Sequence, residues 1–488
     1  MEFLNSLSKS SSDPTMTNAV DQSKEEDCAH DSSSSSSSSS STTTTTSESS
    51  VGVSEGESKS SNEPKPAPDE KEKKKYTEML YEAIKATNLT MIQLVLAKDE
   101  TTVNRPFTHV DIEWPPLALA CARGSVSIVE ILLRIKCIDV NEARNSDGLT
   151  ALHLGSDNGY TDVVKLLLGA EGINVNQEDH DGLTALSAAS QLGNSEVVKL
   201  LLGAEGINVN QADEDGETAL FSVSENGHLG VVKLLLDAEG INVNQAKDSG
   251  ATALHIASLN SHLNVVKLLL GAEGVDVNQA DEHGETALYI ASQDGHLDVV
   301  KLLLGAEGIN VNQADEHGET ALYIASQNGH SEVVKLLLGA ERINVNQAEE
   351  DGATALFMAS QDGHLDIVKL LLGVEGIDVD ASMSDGQSSL FVAACCGHTS
   401  IIPILLAAGA NINKRVIDSS PLDGRCSGLT PLGIASKNNH KEVLRFLKSF
   451  VAKKVSEEET KSSKKPQTLP PPICMVVIYT QAYHTNLR

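Results

Sequence analysis

Residues 281–314 read DEHGETALYIASQDGHLDVVKLLLGAEGINVNQA, and residues 315–348 repeat this stretch almost letter for letter. The glycine at its fourth position returns at a constant interval of 34 residues. The series consists of Gly148, Gly182, Gly216, Gly250, Gly284, Gly318, Gly352 and Gly386. A fixed period of about 20 to 50 residues is typical of chains that stack similar supersecondary units. The sequence therefore predicts a repeat array rather than one globular core.

Each unit is predicted to form two short helices and a finger. Thr286 precedes an apolar segment and is placed to cap the first helix with its hydroxyl. Gly295 suits the left-handed turn that ends this helix, and the apolar residues of 299–304 cover one side of a second helix. Residues 309–312 alternate apolar and polar before the polar run 315–318, which indicates a β-hairpin finger. The fold class predicted is an all-α solenoid of stacked helix-turn-helix units with hairpin fingers.

The segments that flank the repeats differ in composition. Residues 1–75 contain ten consecutive serines followed by five threonines. Such a polar segment cannot bury enough apolar surface to fold, so we expect a disordered Ser/Thr-rich tail. The expected domains are this tail over 1–75, the repeat array over 76–453 with caps near 76–105 and 424–453 and an insertion near 414–425, and a flexible tail over 454–488.

The charge of the chain limits its partners. The formal net charge is −31, and most of it lies on the repeats. An acidic array repels nucleic acid and anionic membrane surfaces, so we expect a basic protein or peptide as the partner, and neither nucleic-acid binding nor membrane insertion. Seven irregularly spaced cysteines indicate a reducing compartment. We expect a cytoplasmic monomer, with nuclear entry as an alternative suggested by the basic cluster Lys71, Lys73, Lys74 and Lys75.

Two units carry a signature that resembles the ankyrin repeat. They read Gly148-Leu149-Thr150-Ala151-Leu152-His153 and Gly250-Ala251-Thr252-Ala253-Leu254-His255, and Asn-Gly-His, Val-Val-Lys-Leu-Leu-Leu and Val-Asn follow downstream in the repeats. The resemblance covers Tyr76 to about Ala452, about eleven units including the caps. Alanine replaces the proline of the family signature in nearly every unit, and Phe or Tyr replaces its histidine in most. Where the imidazole is missing, its hydrogen bond to the threonine turn is expected to be lost.

The resemblance implies that partners bind the finger tips and the exposed side of each first helix. This acidic concave face is expected to include Glu214, Asp215, Glu217, Glu282, His283, Glu285, Glu316, His317 and Glu319 from the fingers, with Gln293, Asp294, Gln327, Asn328, Gln361 and Asp362 from the helices. It also implies hydroxylation of the asparagine that ends the Val-Asn pair. The matching positions are Asn176, Asn210, Asn244, Asn278, Asn312 and Asn346.

No catalytic motif interrupts the period, and the sequence predicts no enzyme, no cofactor and no metal site. The favoured function is a non-enzymatic scaffold or adaptor for protein–protein interaction. One alternative is the substrate-recognition subunit of a ubiquitin ligase, which would contact the ligase through 468–474. A second is a scaffold whose acidic face serves solubility and has no specific site. Because the units are so alike, we expect specificity at the irregular parts: Trp114, Cys395-Cys396 and the insertion at 414–425.

Overall fold

Short helices follow one another in pairs along the computed structural model, which describes residues 69–109, 112–417 and 426–462. These residues form 22 α-helices. The first helices of the pairs are α1 (Glu70–Lys85), α3 (Pro116–Ala122), α5 (Ala151–Asp157), α7 (Ala185–Gln191), α9 (Ala219–Asn226), α11 (Ala253–Leu259), α13 (Ala287–Gln293), α15 (Ala321–Gln327), α17 (Ala355–Asp362), α19 (Ser389–Cys396) and α21 (Pro431–Lys437). The second helices are α2 (Leu89–Leu96), α4 (Val126–Leu133), α6 (Thr161–Leu168), α8 (Ser195–Leu202), α10 (Leu229–Leu236), α12 (Leu263–Leu270), α14 (Leu297–Leu304), α16 (Ser331–Leu338), α18 (Leu365–Leu372), α20 (Ile402–Ala407) and α22 (Lys441–Ser462).

The turn residues act as the sequence predicted. The Thr286 hydroxyl accepts a hydrogen bond from the backbone N–H of Tyr289 at 3.2 Å and so caps α13. Gly295 has a φ of +73°, the left-handed conformation that ends this helix. In the two units that keep the family histidine, the imidazole also bonds the cap; Nδ1 of His153 lies 2.8 Å from the Thr150 hydroxyl. Where Tyr289 replaces the histidine, only its backbone N–H bonds Thr286. The expected loss of the side-chain hydrogen bond to the threonine turn is therefore confirmed for this unit.

The core is continuous along the stack because each helix also packs on its neighbours in the adjoining units. Val299, Val300 and Leu303 of α14 are fully buried, as are their equivalents in the other regular units. Each such side chain contributes about 1.5–3 kcal/mol through burial. A single pair could not bury both of its faces, so every unit depends on the units beside it for stability.

The fingers are held by backbone hydrogen bonds within and between units. In one finger, a bridge joins Ala280 to Thr286, and the Asp281 carboxylate accepts from the backbone N–H groups of His283 (3.0 Å) and Glu285 (2.9 Å). The next finger donates from the Glu316 N–H to the His283 carbonyl at 2.8 Å. Because equivalent bonds recur along the array, neighbouring fingers lie at a constant register.

The first units open differently from the rest, because Trp114-Pro115-Pro116 stands where the later units have their capping threonine. A 3₁₀ helix (Glu100–Asn104) leads to an antiparallel hairpin, β1 (Phe107–His109) with β2 (Ile112–Trp114), whose register pairs Phe107 with Trp114. Pro116 then occupies the first position of α3, which has no side-chain cap. Proline suits this position because its φ is already helical and its missing N–H would have no partner there.

Both ends of the helical region extend beyond the expected bounds of 76–453. Helix α1 begins at Glu70, because the Asp69 carboxylate caps it through the Glu72 N–H at 2.8 Å and Lys73 pairs with Glu70 at 2.7 Å. The basic cluster interpreted as a nuclear-entry signal therefore lies in α1 and not in a disordered tail; it consists of the lysines at 71, 73, 74 and 75. At the other end, α22 continues to Ser462. Lys and Glu are good helix formers, so charged sequence of this kind extends a helix that packing has already nucleated.

Several expected features lie outside the described residues. They include the serine and threonine tract of the N-terminal tail, residues 418–425 of the insertion, and the 468–474 segment on which the ligase alternative rests.

A column of serines runs through the core. It consists of Ser156, Ser190, Ser224, Ser258, Ser292, Ser326 and Ser360, one from each of seven consecutive first helices. All are fully buried, and their hydroxyls have no hydrogen-bond partner among the described residues. The next unit has Ala394 at this position, also fully buried. Burying a hydroxyl without a partner costs free energy, so the serine column is a weak point of the array.

Replacing Ser292 and Ser326 by alanine is expected to raise the free energy of unfolding by about 1 kcal/mol for each site. Alanine removes the unpaired hydroxyl and keeps the small volume that Ala394 already has in this position. Urea unfolding of the double variant measures the effect. Ser331→Ala, on the partly exposed start of α16, is the matched control and should change stability by less than about 0.5 kcal/mol. A loss of stability in the double variant would show that the buried hydroxyls do find partners.

Candidate binding surface

The predicted finger residues divide into two groups by burial. Exposed residues form the tips: Glu214, Asp215, Glu282, His283, Glu316 and His317. Glu217, Glu285 and Glu319 lie one residue after the turn glycines and are half-buried at the base of the fingers, where the first helices begin. The structure brings both groups into one row, since successive fingers are hydrogen-bonded to each other. We call this row, with its tips and bases, the finger surface.

Tip charges partly compensate one another across neighbouring fingers. Nδ1 of His283 lies 3.2 Å from a carboxylate oxygen of Glu316 in the next finger. This hydrogen bond is the main cause of a raised pKa at His283. A protonated imidazole therefore offsets part of the acidic charge at this tip as the pH falls.

The base of the fingers holds carboxyl groups whose ionisation is unfavourable. Burial, reinforced by the nearby carboxylate of Asp281, raises the pKa of Glu285 to about 7. The nearby His283 opposes this rise only in part, and no lysine or arginine of the described ranges forms an ion pair with Glu285. Glu319 accepts a hydrogen bond from the Tyr289 hydroxyl at 3.1 Å, yet burial still raises its pKa. A cation placed here would stabilise both groups in their ionised form.

We expect the free energy of unfolding to fall as the pH rises from about 4.5 to about 7, because of Glu285 and similar half-buried carboxyls. The folded state holds the Glu285 proton up to a pKa of about 7, whereas the ordinary value is 4.5, so ionisation in this window favours unfolding. Solvent screens a half-buried group, and the contribution should be about 1 kcal/mol or less. Thermal unfolding between pH 4.5 and pH 8 measures it. Glu285→Gln should flatten the profile, and Glu282→Gln on the exposed tip should leave it unchanged.

The predicted helix residues lie where each first helix turns into the second. Asp294, Asn328 and Asp362 are exposed, while Gln293, Gln327 and Gln361 are half-buried. At the equivalent place in another unit, burial and the nearby carboxylate of Glu217 raise the pKa of Glu225. The helix ends and the finger bases are therefore close enough to interact electrostatically.

The histidines of the helix turns hold neighbouring units together. Nε2 of His330 lies 2.9 Å from the Gln293 carbonyl of the preceding unit, and His364 bonds Gln327 in the same way at 2.9 Å.

The part of the chain that the structure describes contains no group of three or more His, Cys, Asp or Glu side chains able to hold a metal ion. Burial raises the pKa of the Cys395 and Cys396 thiols, which disfavours the reactive thiolate form.

The six asparagines expected to be hydroxylated form a second interunit ladder. The Asn278 side chain donates to the Gly308 carbonyl at 2.8 Å and accepts from the Asn310 N–H at 2.7 Å, both in the next unit. The other five make the equivalent pair of bonds. These contacts give the asparagines a structural role, and their modification stays a prediction.

The finger surface contains a lysine that the sequence pattern did not indicate. Nζ of Lys247 lies 3.0 Å from a Glu217 carboxylate oxygen and 5.1 Å from the centre of the Phe221 ring. Lys247 stands three residues before Gly250, where the neighbouring fingers carry Asp213 and Asp281. Aligning the repeats would have revealed the exception, but only the packing of neighbouring units shows which groups the lysine reaches.

None of the helices described is long and apolar enough to cross a membrane. A family model described as "Ankyrin repeats (3 copies)" matches residues 80–179, 186–281, 273–349 and 339–416. The last three matches overlap, and the four together do not count the units, so the number of about eleven stays a prediction.

Two curated proteins are similar over short stretches. Alpha-latroinsectotoxin-Lt1a of Latrodectus tredecimguttatus is 40% identical over 62 residues, 13% of this chain and 4% of the toxin. Zinc finger CCCH domain-containing protein 24 of Oryza sativa subsp. japonica is 41% identical over 58 residues, 11% of this chain and 8% of that protein. This chain thus spans less than a tenth of either relative. The family model, by contrast, matches more than half of this chain, in agreement with the stacked helix pairs and fingers, and the chain belongs to the ankyrin-repeat family.

Proposed function

We propose that this chain is a non-enzymatic scaffold that holds a basic protein or peptide on its finger surface. Ankyrin repeats generally serve protein–protein interaction, and the family is typically non-enzymatic. The observation that carries the proposal is the pair of half-buried carboxyls at the finger bases, Glu285 and Glu319. Neither forms an ion pair with a lysine or arginine of the described residues, and burial keeps the pKa of both raised although His283 and His317 lie nearby. A surface meant only for solubility would place its acids where water solvates them fully.

The long row of fingers supports the same conclusion. Exposed acids at successive tips create a continuous negative potential, which attracts a basic partner and speeds its association. The rigid register of the fingers means that little conformational entropy is lost when a partner binds. A partner held on the finger surface can also contact the irregular parts of the array, which lie in the same row of units. The proposal therefore includes the expectation that these parts contribute to specificity.

Charge reversal tests the proposed function. Glu282, Glu285, Glu316 and Glu319 are changed together to lysine, and the proteins captured by the whole chain are compared with those captured by the unmodified chain at equal ionic strength. We expect the basic proteins to be lost from the captured set, because opposite charges at the surface become like charges. The matched control reverses four exposed glutamates on the links after the second helices: Glu171, Glu205, Glu239 and Glu273. Equal losses in both variants, or none in the first, would contradict the proposal.

A further inference from the structure

One unit of the array already contains a lysine bound on the finger surface. The Lys247 ammonium lies 3.0 Å from the Glu217 carboxylate and 5.1 Å from the centre of the Phe221 ring, and it comes from the finger of the following unit. Glu217 stands one residue after a turn glycine and Phe221 five residues after it. A carboxylate and an aromatic ring at these two positions therefore form a slot for an ammonium group.

The same two positions recur in two later units without the lysine. Glu285 and Tyr289 follow Gly284 in this spacing, and Glu319 and Tyr323 follow Gly318. We call these pairs the Glu285 slot and the Glu319 slot. The following fingers carry Asp315 and Glu349 where Lys247 stands in the filled slot.

The two acids that replace the lysine turn back onto their own fingers. The Asp315 carboxylate accepts from the N–H groups of His317 at 2.9 Å and Glu319 at 2.8 Å. Glu349 accepts from Asp351 and Ala353, both at 2.8 Å. Neither acid supplies positive charge to the slot of the preceding unit, whereas Lys247 does so for Glu217.

Carboxylates dominate the surroundings of these two slots. Burial and neighbouring carboxylates raise the pKa of both Glu285 and Glu319. The same surroundings raise the pKa of the Tyr289 hydroxyl, with Glu319, Asp315 and Glu285 as the contributing acids. Each slot therefore concentrates negative charge around a buried ring. The nearby His283 and His317 offset part of this charge, but no lysine or arginine of the described residues pairs with Glu285 or Glu319 as Lys247 does with Glu217.

We propose that the Glu285 slot and the Glu319 slot each receive the ammonium of a lysine from one extended partner segment, in which the two lysines are three residues apart. This inference rests on the proposed function and names the partner's recognition element. Packed helices lie about 8–10 Å apart, so equivalent positions of neighbouring units have a similar spacing. A polyproline II segment rises about 3.1 Å per residue with three residues per turn, which places lysines at i and i+3 on one side about 9 Å apart. The near-identity of these two units then selects a repeated lysine.

Synthetic peptides test the spacing with the whole chain. The first peptide carries a Lys-Pro-Pro-Lys core. The control peptide has the same composition, but its two lysines are adjacent. Isothermal titration calorimetry at pH 8, above the pKa of about 7 of Glu285, is expected to show about tenfold tighter binding of the first peptide, because only its lysines reach both carboxylates. Equal binding of both peptides would overturn the inference.

Two matched double variants test the slots. Glu285→Gln with Glu319→Gln is expected to weaken binding of the Lys-Pro-Pro-Lys peptide by about tenfold, because each change removes a charge-assisted hydrogen bond. Glu282→Gln with Glu316→Gln removes the same charge from the exposed tips and should weaken it by less than about threefold. If the two double variants lose affinity equally, the acids act only as a diffuse field, which overturns the slot inference and leaves the proposed function intact.

A third variant fills one slot from within the chain. Asp315→Lys places a lysine relative to Glu285 where Lys247 stands relative to Glu217. The finger that carries Lys247 keeps the backbone hydrogen bonds of the other fingers, so a lysine is compatible with the fold at this position. We expect the pKa of Glu285, followed by NMR, to fall in this variant, and the affinity for the Lys-Pro-Pro-Lys peptide to drop about tenfold. An unchanged affinity would overturn the inference. If no peptide binds while basic proteins are still captured, the slot inference is wrong and the proposed function stands; if nothing basic binds, both are wrong.

Discussion

Replacing Gly284 by alanine is expected to lower the free energy of unfolding by about 3 kcal/mol. The residue has a φ of +83°, and a Cβ at this position would lie 2.7 Å from the backbone nitrogen of Glu316 in the next finger. The left-handed conformation alone costs a residue with a side chain about 1–2 kcal/mol. The close contact must also displace the neighbouring finger, and this breaks the 2.8 Å hydrogen bond from the Glu316 N–H to the His283 carbonyl.

Gly308→Ala separates these two costs. Gly308 lies on the link of the same unit and has nearly the same φ, +78°, but a Cβ there would meet no atom within 4 Å. Its replacement should therefore cost only about 1 kcal/mol, the conformational part. Urea unfolding followed by circular dichroism compares the two variants. Equal destabilisation would mean that the turn glycines serve the conformation of their own finger and not the contact between fingers.

Asn278→Ala is expected to destabilise the array by about 2 kcal/mol, because it removes both side-chain hydrogen bonds to the next unit. The carbonyl of Gly308 and the N–H of Asn310 lose partners at 2.8 and 2.7 Å. Each such bond contributes about 1 kcal/mol. In a linear array the loss falls on one interface between neighbours, so we expect the hydrogen exchange of the fingers on its two sides to increase most.

Asn310→Ala is the control for this ladder. Among the residues that the structure describes, its side chain accepts only from the Asn312 N–H, at 3.3 Å and within its own link. The exposed position and the long bond predict a loss of about 0.5 kcal/mol or less. If both asparagine variants have the same effect, or if exchange increases evenly along the array, the asparagines would not couple neighbouring units.

Much of the fold was predictable because each unit is specified by local chemistry. Thr286 must cap a helix that starts beside it, and Gly295 must adopt the left-handed turn that follows, whatever the rest of the chain does. These signals act within a few residues and recur in every unit. A unit interpreted correctly once therefore predicts the structure of all its copies. The ends of the array were predicted less well. The first helix begins at Glu70 and the last ends at Ser462, so both run into charged segments that were expected, from their composition, to be tails.

The candidate site was predictable only as a set of residues. The pattern placed Glu282, Glu285, Glu316 and Glu319 in fingers, but it did not separate the exposed tips from the half-buried bases. Nor did it show that Lys247 reaches Glu217. Such contacts join residues about one period apart, and their distances depend on how closely two units pack, which no local signal specifies.

The sequence by itself determined that the chain is an array of helix pairs and fingers, because turns, caps and apolar periodicity act over a few bonds. Only the tertiary structure decided which groups meet between units, as in the asparagine and histidine ladders and in the contact of Lys247 with Glu217. It also decided which polar groups are buried: the serine column of the core and, in part, the carboxyls of Glu285 and Glu319. The physical reason is that hydrogen bonding and desolvation depend on separations of a few ångströms between residues far apart in the chain. Packing establishes those separations, and with them the charge that a partner would meet.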